Sequence, residues 1–167
     1  MDRIENKKRI RNIALNGVML ALVVALQAVN LPNIITGIIV NAILVFILLF
    51  VGIRSALTLS LLTPLCGFIT GHVNALLYPV IPAIILGNVL FVHIFYKLKE
   101  KSLWLKIFIP SFVKALIIGA GGKALTYLFI PNEIEEFVLY SVLGIQFFTA
   151  VPGVLLGYKL SKSIKTN

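Results

Sequence analysis

Apolar residues in this chain come in runs close to the length that crosses a bilayer, separated by short polar or basic turns. A spanning helix needs about 20 mostly apolar residues, with about 17 to 25 tolerated. Six such runs lie near residues 13–29, 34–53, 56–70, 75–96, 107–130 and 137–158, the third being short. The pattern predicts an all-α membrane protein in which residues 1–167 form a single domain, a bundle of six transmembrane helices. Proline refines the boundaries, because it suits a first helical turn and damages an interior. Pro79 and Pro82 therefore predict that the fourth helix starts later than its apolar run, with residues 71–78 as a loop dipping into the protein. Pro110 predicts that the fifth helix starts near it, leaving residues 103–109 as an interfacial lead-in with Trp104 in the aromatic belt.

Charge gives the runs an orientation. Cytoplasmic loops carry the excess of Lys and Arg. Every basic residue except Lys114 and Lys123 falls before the first run, between the second and third, between the fourth and fifth, or after the sixth. The opposite loops hold no Lys or Arg, and the last of them carries Glu133, Glu135 and Glu136. Both termini are thus expected on the cytoplasmic side of a prokaryotic cell (inner) membrane. The first run lacks a clean small-x-small cleavage site and is long for a signal core, so it reads as a retained helix. Composition agrees: the chain is 59% hydrophobic, only 13% charged, and has a mean hydropathy of +1.03. A domain of this size buries about 70% of its unfolded surface, so the remaining apolar area is expected to face lipid. The net charge of +9 is spread between apolar runs and forms no continuous face for nucleic acid.

Motifs for catalysis are not found. Gly121, Gly122 and Lys123 resemble the end of a phosphate-binding loop, but Ile117 and Ala124 stand where that motif requires Gly and Ser or Thr. His72 and His93 have no Cys, Asp or Glu at ligand spacing, and the single Cys66 reads as a small buried hydrophobe. No enzyme activity, cofactor, metal site or catalytic residue is expected. What stands out is polar residues within the spans, which are costly in lipid and point to function. Lys123 is the leading candidate, with Tyr127 one turn along on the same face. Lys114, nine residues earlier, falls on the opposite face at about 100° per residue, and reads as a lysine that snorkels to the cytoplasmic end. Gln27, Asn33, Asn41, His72, Asn74, Tyr78, Asn88 and Gln146 gather in the outer half or near the middle and suggest a pocket. With no acidic side chain in the spans to neutralise Lys123, the expected ligand is anionic. A second pattern is the small-residue stripe Ala14, Gly17, Ala21, Ala25 and Ala28 on the first span. It permits close helix approach, either inside this bundle or to a partner subunit.

The chain resembles the substrate-binding S components of energy-coupling factor (ECF) vitamin transporters. The resemblance rests on the length, the span count and orientation, Ala21-x-x-x-Ala25 on the first helix, and the segments Val40-Asn41-Ala42-Ile43-Leu44, Leu62-Thr63-Pro64-Leu65 and Leu86-Gly87-Asn88. It implies a binding subunit that captures a vitamin or similar micronutrient in an outward-opening pocket, capped by the loops after the first, third and fifth spans. The partners implied are a membrane coupling subunit and two cytosolic ATPases, and transport follows when the loaded subunit tips over in the membrane. The competing expectation is a structural membrane protein of the rod-shape type with no small-molecule ligand. A small ion-coupled carrier is disfavoured, because the spans carry no acidic relay residue.

Overall fold

The computed structural model describes residues 3–73, 75–129 and 136–166. It is all-helical over these residues: α1 (Arg3–Ala28), α2 (Asn33–Phe50), α3 (Ile53–Ile69), a 3₁₀ segment (Ala75–Val80), α4 (Ile81–Lys97), α5 (Leu103–Phe129) and α6 (Glu136–Thr166). Among the described residues, four stretches are long and apolar enough to cross a membrane: Glu5–Ala28, Asn33–Phe50, Leu77–Lys97 and Leu103–Phe129. α3, with 17 residues, is a shorter apolar helix, about 26 Å long at 1.5 Å per residue.

α2 is the central helix. Asn41 through Leu48 are buried without interruption, as expected for a helix that is apolar on every face. α6 lies along it at close range because Gly153 and Gly157 present no side chain there. A methyl group at Gly153 would come within 2.5 Å of Asn41 Cβ and 2.9 Å of the Ile38 carbonyl, and one at Gly157 would strike the Ala42 carbonyl oxygen. Small residues serve the α4–α5 crossing in the same way, Gly87 lying against Ile118 and Gly121 against Ala83, while Gly122 lies against Val80 at the end of the 3₁₀ segment. In bundles that sit in lipid, such close backbone approach supplies the packing that water exclusion supplies elsewhere.

One large apolar cluster holds the bundle together, with Leu44, Ile47, Leu59, Phe91, Phe95 and Val154 fully buried in it. Toward the α1–α2 turn and the 3₁₀ segment, Val80, Ile81, Ala83 and Ile118 are buried as well, but packing there leaves a cavity.

The prolines behave in two ways. Pro79 lies in the 3₁₀ segment and Pro82 in the first turn of α4, so that helix does start late. Pro110 does not start α5. The helix runs unbroken from Leu103 through it, and residues 103–109 are regular helix. Burial outweighs the lost backbone bond here, since Pro110 is buried along with Lys106 and Ile107. Trp104 is 70% exposed and stacks on Phe108 with ring centroids 5.7 Å apart.

Candidate functional site

Between the helix ends near the α1–α2 turn and the 3₁₀ segment lies a partly open cavity of about 230 Å³. Each wall comes from the turns just beyond the core contacts of its helix. α2 contributes Asn33, Thr36, Gly37 and Val40; α4 contributes Ile84 and Asn88; α6 contributes Ile145, Gln146 and Thr149. α1 and α3 add Gln27, Thr63 and Pro64, and the segment before α4 adds His72, Val73 and Leu77. Residues of the 71–78 stretch thus do line the cavity.

Lys114 of α5 closes the inner limit. It is 3% exposed, and its Nζ donates a 2.6 Å hydrogen bond to Asn41 Oδ1. The same nitrogen stands 5.3 Å from the ring centroid of Phe91, a geometry in which the ring's negative face attracts a cation. Among the described residues an ion pair joins Lys99 and Glu100 on the surface, and no carboxylate pairs with Lys114.

Other polar groups around the cavity are also buried. Gln27 Nε2 donates to the Thr63 carbonyl at 3.2 Å. Gln27 Oε1, Thr63 Oγ1 and Asn88 Oδ1 are buried without a hydrogen-bond partner among the described residues. Thr63 is unusual among its neighbours. Thr58, Ser60, Thr70, Ser111 and Thr126 all turn their hydroxyls back to the carbonyl four residues earlier, the ordinary resort of a helical hydroxyl. At the outer rim His72 Nδ1 lies 3.2 Å from Asn30 Oδ1. Burial pushes the His72 imidazole below its ordinary value.

The structure brings together Gln27, Asn33, His72, Asn88 and Gln146 of the residues singled out in the sequence. Asn41 stands behind the wall and acts on the cavity through Lys114. Tyr78 turns away, its ring edge-to-face with Phe68 at 4.6 Å. Asn74 lies outside the described residues. The expectations for Lys123 and Tyr127 need correction: both are exposed on the outer surface of α5, Tyr127 at 78%, and neither lines the cavity. The snorkelling assigned to Lys114 is corrected with them. The two lysines do occupy opposite faces of a regular helix, but the inward face belongs to Lys114. Thr36, Thr63 and Thr149 are further cavity residues that sequence reasoning passed over, because threonine within an apolar run reads as a self-satisfied hydroxyl.

The small-residue stripe is also placed. Ala14, Gly17, Ala21, Ala25 and Ala28 are all exposed, and a methyl group at Gly17 would meet nothing within 4 Å. α1 turns the other face inward, with Val23 and Gln27 buried and Leu15, Met19 and Leu20 against the core. No group of His, Cys, Asp or Glu among the described residues is arranged to hold a metal ion. No family model, curated protein or solved structure matches this chain.

Proposed function

We propose that this chain is the membrane-embedded substrate-binding subunit of an importer of the ECF type, capturing a small anionic micronutrient from the outer side of a prokaryotic cell membrane. The observation that supports this most is the cavity itself, with Lys114 buried at its inner limit and no carboxylate paired to it among the described residues. A buried ammonium is retained where something offsets its lost hydration. Asn41 and Phe91 supply part of that offset, and a carboxylate or phosphate on a ligand supplies the charge. The anionic character expected from Lys123 is thereby carried by Lys114 instead.

In this reading all six helices span, and both termini are cytoplasmic because the basic residues of the turns collect at that end. The cavity, at the other end, then faces outward. The exposed alanine face of α1 is left for a membrane coupling subunit, which two cytosolic ATPases serve.

Purification of the tagged chain from its native membrane tests the proposal. The expected result is copurification of a membrane protein with two ATPase polypeptides, together with release of a small acid detected by mass spectrometry on denaturation. A chain that purifies with neither, or with cell-wall or cytoskeletal partners only, overturns it.

A further inference from the structure

The cavity presents two kinds of polar demand, and an anion alone meets one of them. Lys114, as an ammonium, favours negative charge. Gln27 requires the opposite partner, a hydrogen-bond donor. Its Nε2 bond to the Thr63 carbonyl fixes which way the amide faces, because turning it over would set Oε1 against that carbonyl oxygen. Gln27 Oε1 is therefore a fixed acceptor. It is buried and has no partner among the described residues, on a side chain that is only 6% exposed and belongs to a cavity-lining residue. Thr63, 1% exposed, and Asn88, 2% exposed, line the same cavity, and each carries a further buried oxygen without a partner among the described residues. Gly67 permits the arrangement: a methyl group there would lie 3.2 Å from Gln27 Nε2.

Buried polar atoms are almost always satisfied, and those that are not call for an explanation. We propose that the cavity recognises a two-ended small molecule, an organic acid whose anionic group meets Lys114 and whose amino, amide or hydroxyl donor meets Gln27 Oε1 beside Thr63. The inference rests on the reading of the cavity as a ligand site and adds the second half of the ligand's chemistry. A cation is repelled at Lys114, and an acid without donors leaves Gln27 Oε1 dry and unbonded. Size follows from volume. An apolar cavity of about 150 Å³ holds benzene, so about 230 Å³ holds about nine or ten non-hydrogen atoms.

Three probes of about that size separate the two demands: 4-aminobenzoate, which has both groups; 4-methoxybenzoate, an acid lacking the donor; and 4-aminobenzamide, which lacks the charge. Dissociation constants are measured by calorimetry on the full chain in detergent. 4-Aminobenzoate is expected to bind about tenfold tighter than either of the others, the value of one satisfied buried hydrogen bond. Lys114→Met should abolish the preference for benzoate over benzamide and keep that for amino over methoxy. Gln27→Met should do the reverse. Loss of opposite halves of the preference is not produced by misfolding, which removes both together.

Equal binding of all three probes to the wild-type chain, binding of none, or loss of both preferences in both variants overturns the inference. If a small molecule is nonetheless released from the native protein, the importer reading stands without it. If none is released, no probe binds and no ATPase partner copurifies, both readings fall.

Discussion

The contact that ties the fold to the cavity is the one at Gly153, and Gly153→Ala is its most informative perturbation. A methyl group there would sit 2.5 Å from Asn41 Cβ, 2.9 Å from the Ile38 carbonyl oxygen and 3.2 Å from the Ala42 nitrogen. Two of these are backbone atoms of α2, so no rotamer change relieves them. Carbon atoms pack at about 3.5 to 4.0 Å, so α6 must move about 1 Å from α2 or Asn41 must be displaced. Overpacking of this kind costs about 1 to 3 kcal/mol, offset by up to about 1 kcal/mol from replacing glycine within a helix. For a chain of this size each kcal/mol is worth about 2 to 4 °C, so a fall in melting temperature of several degrees is expected. Gly144→Ala is the control, since a methyl group there meets nothing within 4 Å and should leave the melting temperature unchanged or slightly raised. Because Asn41 is the acceptor for Lys114, Gly153→Ala should also weaken 4-aminobenzoate binding. Thermal melts of detergent-solubilised protein, followed by size-exclusion fluorescence, compare the three chains. Equal melting of Gly153→Ala and Gly144→Ala would refute the close α2–α6 crossing.

Three further outcomes are expected. Lys123→Met should bind 4-aminobenzoate within about twofold of wild type, since a site on the outer face of α5 is independent of the cavity; a tenfold loss in calorimetry would return Lys123 to the site. Ala21→Leu should leave the melting temperature within about 0.5 kcal/mol equivalent of wild type, as an exposed position, while abolishing copurification of the membrane partner; loss of folding instead would mean that the stripe packs within the bundle. Burial holds the His72 pKa below the ordinary 6.5, so its neutral form is favoured by the fold. That contribution is complete above the unfolded value and is lost as pH falls through the lowered folded value. Wild-type melting temperature should therefore drop on acidification below about pH 6.5, and His72→Gln should flatten that dependence; parallel curves would remove His72 from it.

Helix count, element order and the late start of α4 were legible in the sequence because they depend on local quantities: length of apolar run, charge of the turns, and the effect of proline on a first turn. Pro110 misled because its local penalty was outweighed by burial within the bundle, which no local reading supplies. The gathering of Gln27, Asn33, His72, Asn88 and Gln146 in one region was also legible, since depth along a helix follows from residue number and a known rise. Which face of a helix turns inward was not. α5 is apolar nearly all round, so periodicity establishes that Lys114 and Lys123 point in opposite directions and leaves the choice between them open. That choice was made by packing: Gly87 admits Ile118, Gly121 and Gly122 admit Ala83 and Val80, and these contacts rotate α5 until Lys114 meets Asn41 on α2, a residue far away in sequence. Run length and the placement of polar residues are enough to establish a set of apolar helices with polar residues near one depth. Which of those residues share a cavity depends on rotation about each helix axis, and rotation is set by contacts between helices.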